Sequence, residues 1–222
     1  MKISMLWDIF LGLPKSIRFC FHYFPFRVAI KLPVLLSPHV RLRCLKGHVE
    51  LNAPYVRIGM IRIGFGNIGI FDDKVSRTIW ENKGTVVWGG WAFIGHGSKI
   101  ACGEKGRIVF GKGFHCTAES QFVCMDSLHF GEDVLISWQT LIMDTDGHYI
   151  AAHGVEHKNH KPIYIGNHVW IGCRCIILKG ASIADDSVVA AGTLITKSFE
   201  ESACVIGGGD ASIIQSGISW RS

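Results

Sequence analysis

From residue 144 to residue 162 the chain reads Asp-Thr-Asp-Gly-His-Tyr-Ile-Ala-Ala-His-Gly-Val-Glu-His-Lys-Asn-His-Lys-Pro, and this stretch holds the groups best suited to chemistry. Five of the eleven histidines lie between residues 148 and 168. Imidazole gains and loses a proton near neutral pH, so a histidine here can take the proton of a hydroxyl as that hydroxyl attacks. Asp144 and Asp146 precede His148 closely enough to accept its ring N–H and fix the tautomer, or to bind a hydroxyl. Asp-Thr-Asp-Gly is equally a good turn sequence. A second chemistry is metal ligation, for which His153-x-x-x-His157-x-x-His160 has enough imidazoles. Lys158 and Lys161 oppose a cation there, and no metal is expected.

The elements that must position this stretch announce themselves by a six-residue period. Aliphatic residues stand at Ile165, Ile171, Ile177, Ile183, Val189 and Ile195, and four residues after each come Val169, Cys175, Ala181, Ser187, Thr193 and Phe199. Six is not a helix period, and a six-residue unit is too short to bury a core alone, so the units must stack as a solenoid of short parallel strands. Upstream the repeat persists in shorter frames that slip: Trp88, Ile94 and Ile100; then Phe110, Cys116 and Phe122; then Phe130, Ile136 and Ile142. Each slip predicts a loop or a widened corner. The longest is the excursion 144–162, and an excursion of that length inside a compact solenoid is expected to serve function. The pairs Ile58-Gly59 and Ile63-Gly64 place the start near residue 56.

A chain of 222 residues with 48% apolar and 18% charged side chains is globular. Its net charge of +5 is concentrated at one end, since residues 1–50 hold eight Lys and Arg against Asp8 and Glu50. That end is also aromatic, but Lys15, Arg18, Arg27 and Lys31 interrupt it before the ~20 apolar residues of a spanning helix accumulate. It suits a cap over the open end of the solenoid, and equally a peripheral contact with an anionic membrane. Basic residues in an apolar leader do not make a nucleic-acid reader, so no nucleic acid is expected. Eight cysteines without a Cys-x-x-Cys pair read as reduced thiols of a cytoplasmic protein, with Cys116 and Cys175 as small apolar fillers. The expected division is a cap segment at 1–55, the repeat domain at 56–200 and a tail at 201–222.

The stretch Lys161-Pro-Ile-Tyr-Ile-Gly-Asn-His-Val-Trp-Ile-Gly172, followed by Ile177-Leu-Lys-Gly-Ala-Ser-Ile-Ala-Asp-Asp-Ser-Val-Val-Ala-Ala-Gly-Thr-Leu-Ile-Thr-Lys197, resembles the hexapeptide-repeat acyltransferases. Within them it is most similar to the bacterial sugar and polysaccharide O-acetyltransferases. The resemblance implies an all-β fold, a left-handed parallel β-helix of triangular section with three hexapeptides per coil, assembled as a homotrimer with active sites between subunits. The repeat alone does not give the handedness, because parallel crossovers are right-handed by default.

The resemblance also implies roles. An acetyl group would pass from acetyl-CoA to a hydroxyl of a sugar or glycan acceptor, in bacterial surface-polysaccharide synthesis. The family's catalytic histidine precedes its Val-Trp-Ile-Gly motif by about two dozen residues, and His148 stands 22 before Trp170. His148 is therefore the expected base, ahead of His153, His157, His160 and His168, with His115 and His129 on preceding coils. Asp144 is the expected orienting carboxylate, and Asp146 a candidate for the acceptor. Trp170, Cys173 and Ala191 match positions along the coenzyme A groove, and Thr196 and Lys197 match the Thr-Lys near its nucleotide phosphate. Thr117 aligns with an acceptor-binding asparagine of the galactoside enzymes, and Trp138 offers a face for a sugar or for core packing.

Two departures stand out. Where the family often ends Val-Gly-Gly-Asn-Pro-Ala-Lys, this chain has Ile206-Gly-Gly-Gly-Asp-Ala-Ser212, without the proline and the basic residue that helps hold coenzyme A. The asparagine for the acceptor is the second loss. Two rival readings remain beside the transferase: a non-catalytic β-helix assembly module, which the repeat alone allows, and a carbonic-anhydrase-like metal enzyme.

Overall fold

The computed structural model describes residues 3–72 and 75–221. Among them lie three main sheets of nine, seven and seven strands, which the chain visits in rotation. The first face runs from Val34–Leu36 to Cys204–Gly207, the second from Val40–Cys44 to Leu194–Ile195, and the third from His48–Leu51 to Ser198–Phe199. All these strands pair in parallel, and Ser212–Ser216 closes the first sheet by pairing antiparallel with Cys204–Gly207. The architecture is a left-handed parallel β-helix.

The repeat accounts for it residue by residue. Ile171 lies over Val189 on the first face, Ile177 over Ile195 on the second, and Ile165 over Ile183 and then Phe199 on the third. Strands of adjacent coils are ~4.8 Å apart, so these side chains stack in continuous inward ladders. Val169, Cys175, Ala181 and Ser187 are buried without exposure beneath the corners. The corners turn through left-handed backbone: Gly113, Asp133, His168 and Asp186 occupy successive coils of one, and Gly97, Glu119, Gln139, Arg174 and Gly192 of another, all with positive φ. All eight cysteines are free thiols.

The slips share one location. The six-residue step is kept from third face to first at Trp88–Ile94 and Phe110–Cys116, and from first to second at Ile94–Ile100 and Cys116–Phe122. It is lengthened from second face to third, at Ile100–Phe110, Phe122–Phe130 and Ile142–Ile165. Insertions between residues 88 and 199 therefore leave the solenoid from a single corner. The excursion is the largest, and it is a β-hairpin rather than a loop, with Ile150–Ala152 antiparallel to Val155–His157. His153 and Gly154 form its two-residue turn, both with positive φ, which matches the twist of the strands they join. A bridge between Thr145 and His160, and hydrogen bonds from Asp146 N to Asn159 O (2.7 Å) and from Lys161 N to Asp144 O (3.0 Å), fasten its base.

The first coil begins at Val34, well before residue 56, and the solenoid runs on to Gly207. Insertions around residues 52–60 and 66–77 separate the early strands and hide their period. Above the first coil lies a helix, α1 (Ile3–Tyr23). Gly12 meets the edge strand so closely that a Cβ there would lie 1.9 Å from Leu36 O. Ser16 donates to Gly12 O (3.0 Å) and accepts from Leu36 N (2.9 Å), while Phe19 packs edge-on against Trp80 at 5.1 Å. The Cys20 thiol donates to Val34 O at 3.4 Å, and burial pushes its pKa up to about 11. α1 thus covers an edge that would otherwise invite pairing with another chain.

Candidate functional site

The residues singled out by sequence divide between two corners of the prism. Register puts Trp138, Cys173 and Ala191 at equivalent places on three successive coils of the corner between first and second faces, because Ile136 pairs with Ile171 and Ile171 with Val189. Thr117 follows Cys116 at the same corner two coils above Cys173. Backbone rather than side chains lines much of this edge. A Cβ on Gly172 would lie 2.7 Å from Ala191 N, so coils here approach too closely for a side chain. Gly192 N donates to Cys173 O at 2.9 Å, and Ala191 is exposed. Trp170, on the first face, is 38% exposed and anchored by its Nε1, which donates to Ser137 Oγ at 3.1 Å. The Thr117 hydroxyl oxygen is buried and has no hydrogen-bond partner.

His148 belongs to the other corner, between second and third faces, on the first arm of the excursion. Its ring is exposed and has no hydrogen-bond or ion-pair partner among the described residues. Thr196 and Lys197 turn the same corner on the last full coil, both exposed, with Lys197 Nζ 5.5 Å above the Phe199 ring. Asp146 forms an ion pair with Lys179, whose Nζ also donates to Lys158 O at 2.9 Å. Asp146, Lys158 and Lys179 line a shallow cleft together with His157 and Lys161.

Asp144 differs from its expected place beside the base. It is fully buried, and its two oxygens accept the backbone N–H groups of Met125 and Asp126, each at 2.8 Å. The turn at Met125 and Asp126 on the preceding coil leaves these two donors without a strand partner, and a buried carboxylate satisfies both. Asp144 therefore braces the root of the excursion and does not touch His148. Asp144→Asn would set an amide donor against one of those N–H groups, so it should lower stability by about 1–3 kcal/mol. Urea denaturation measures this, and a change under about 0.5 kcal/mol, the scale of an ordinary surface substitution, would show the brace to be dispensable.

Sequence reasoning missed Trp220. It stacks on His168 at 4.2 Å and 5°, and its Nε1 donates to His168 O at 2.9 Å. His168, ranked behind His148 as a base, is thus covered on one side and hydrogen-bonded to Asp186 at 2.9 Å on its edge. Trp220 lies 6.0 Å from Trp170 and walls a cleft with Trp91, His115, Asp133 and Leu135. Burial lowers the His115 pKa. Nothing in the repeat signals a residue beyond its last coil, so only the solitary tail tryptophan itself was available as a cue. Among the described residues no three His, Cys, Asp or Glu side chains converge as ligands, and His153 is taken up by the hairpin turn.

Comparison with known proteins matches residues 162–197 to the family described as bacterial transferase hexapeptide (six repeats). An uncharacterized 24.8 kDa protein in the cps region of Klebsiella pneumoniae is 26% identical over 201 residues, covering 90% of this chain and 87% of the relative. Galactoside O-acetyltransferase of Escherichia coli (strain K12) is 32% identical over 98 residues, covering 41% of this chain and 45% of that protein, so the chain spans less than half of that relative's length. Among solved structures, the polySia specific acetyltransferase NeuO superimposes with a TM-score of 0.54 at 21% identity, over 85% of this chain and 82% of NeuO, a likeness of fold.

Proposed function

We propose that this chain, a hexapeptide-repeat protein of the bacterial transferase type, moves an acetyl group from acetyl-CoA to a hydroxyl of a sugar or glycan, with His148 as general base. The observation that carries this reading is the corner at Gly172, Cys173, Ala191 and Gly192, where closely approaching coils present backbone beside the half-exposed Trp170. Such a surface suits a long, polar donor that must lie close along the protein. The unpartnered His148 ring is open to a hydroxyl. In the reaction His148 takes the hydroxyl proton as the oxygen attacks the thioester carbonyl, a tetrahedral intermediate forms, and the C–S bond breaks. The imidazolium then returns the proton to the departing thiolate.

Cys173 and Ala191, matched to the donor, lie on a different corner from the base, separated from it by the second face, whereas Thr196 and Lys197 share the corner of the base. Six residues of extended chain reach at most ~20 Å, which bounds the separation of the two corners within one subunit. This supports a site completed between subunits of a trimer, which light scattering would test. The likeness to galactoside O-acetyltransferase supports a sugar acceptor, and a cytoplasmic protein acting in surface-polysaccharide synthesis would meet acetyl-CoA there. Asp146, Thr117 and Trp138 remain the candidates for the acceptor, although Asp146 must first release Lys179.

The test is transfer of labelled acetyl from acetyl-CoA to a panel of oligosaccharides. Transfer to a glycan hydroxyl is expected, and no turnover of acetyl-CoA with or without any acceptor would favour the assembly-module reading. Ser212, at the start of the strand Ser212–Ser216, stands where the family carries a basic residue, and Asp210, in the turn after Cys204–Gly207, stands where it carries proline. Lys197 then carries more of the phosphate contact. Lys197→Ala should weaken coenzyme A by up to about fivefold, as an exposed charge pair allows, and affect dephospho-coenzyme A less. The difference should shrink with salt. Equal losses for both ligands in calorimetric titration would place Lys197 away from the phosphate.

A further inference from the structure

α1 has two apolar faces. Gly12, Ser16, Phe19 and Cys20 face the solenoid and are buried. Leu6, Phe10, Ile17 and Phe21 recur at spacings of four, seven and four on the opposite side, with Trp7 beside them, and all are exposed, Trp7 at 61% and Phe10 at 65%. A helix at a water-facing surface normally turns its polar side outward, and this one does the reverse. Phe26 extends the patch past the end of α1 and packs against Phe21 at 6.0 Å. Among the described residues no helix is long and apolar enough to cross a membrane.

The flank of this patch is cationic. Arg18 stands one turn before Phe21, and with Lys15, Arg41 and Arg77 it lines a cleft of about 440 Å³ at the same end of the solenoid. Lys15 is committed, since its Nζ donates to the carbonyl oxygens of Pro38 and Val40. Burial, and then the charge of Arg77, lower its pKa. Arg18, Arg41 and Arg77 are exposed and have no carboxylate partner among the described residues. Three uncompensated guanidiniums beside an apolar helix face are a combination that water and folding alone do not favour. They would also repel a second copy laid symmetrically on the same face.

We propose that this end of the solenoid docks on an anionic membrane surface, the outer face of α1 entering the interface while Arg18, Arg41 and Arg77 engage lipid phosphates. The aromatic and aliphatic side chains give the apolar anchorage, and guanidiniums pair with phosphate oxygens through two N–H groups at once. The helix would lie along the interface, with the solenoid axis carrying the candidate site away from it.

The test is sedimentation of the full chain with vesicles of phosphatidylcholine mixed with phosphatidylglycerol, against phosphatidylcholine alone, without acetyl-CoA or acceptor. Binding should require the anionic lipid and weaken at high salt. Each cation near such a surface contributes about fivefold, so replacing Arg18, Arg41 and Arg77 together by Gln should cost on the order of 100-fold in vesicle affinity. Trp7→Ser combined with Phe10→Ser should weaken binding at low salt, with circular dichroism confirming that both variants remain folded. Indifference of the wild type to anionic vesicles, or binding unchanged by the three Gln replacements, would overturn the proposal. So would release by inorganic phosphate at constant ionic strength, which would make the cleft a site for a free anion. A drop in mass of the Trp7→Ser, Phe10→Ser variant in sedimentation velocity would assign the apolar face to a second copy instead. Because no acyl transfer is measured, failure here leaves the proposed activity untouched.

Discussion

His148→Ala is expected to cut acyl transfer by ~10²–10⁴-fold, the range for loss of a positioned general base. Its effect on folding should be small, because the ring is exposed and bonded to no other side chain or backbone group among the described residues. That separation makes the variant informative. Donor affinity should stay near that of the wild type, since the residues matched to the donor stand at other positions, with Trp170 on the first face and Cys173 and Ala191 on a different corner. The measurement is steady-state transfer at saturating acetyl-CoA, with coenzyme A binding and the melting temperature followed in parallel. Turnover within a few-fold of the wild type would remove His148 from the reaction. Asp144→Asn offers the contrast: its loss of activity should track a loss of stability, because its carboxylate holds the Met125 and Asp126 N–H groups rather than the imidazole.

The contrast also shows where the sequence was readable. From residue 163 to 199 each aliphatic in the six-residue period falls on an inward ladder, because one side of the triangle is one unit and nothing interrupts it. The interruptions were visible as slips, but that they share the corner between second and third faces emerges only when every residue is assigned a face. The first coils were hidden for the same reason. Val40–Cys44 alternates buried and exposed residues like any amphipathic strand, and its partner Thr78–Asn82 is far along the chain, so no short period links them. Asp144 was misread because a carboxylate's partners are set by which backbone donors the neighbouring coil leaves open. Trp220 closes over His168 from beyond the repeat, where spacing carries no information. The aromatic character of α1 was plain in the sequence, whereas the outward direction of Phe10 and Phe21 was not.

The same ladders dictate the largest expected loss of stability. Phe110 is fully buried at the middle of the third face, stacked between Trp88 at 4.5 Å and Phe130 at 5.4 Å, with Phe114 at 4.6 Å and Phe122 at 5.7 Å closing the sides. These rings come from all three faces, so the site cannot collapse by moving a single strand. Phe110→Ala should therefore cost about 3–5 kcal/mol, combining the lost transfer energy with the cavity left behind. Phe199→Ala removes the same side chain from the last rung, where the residue is 6% exposed and no further coil covers it on that face. Its cost should be smaller, because a solenoid's end units interact with one neighbour instead of two. Chemical denaturation of both variants gives the comparison. If the two losses were equal, stability would not be carried by stacking between coils, and the aromatic ladder would be a filler rather than the support on which the excursion and its histidine stand.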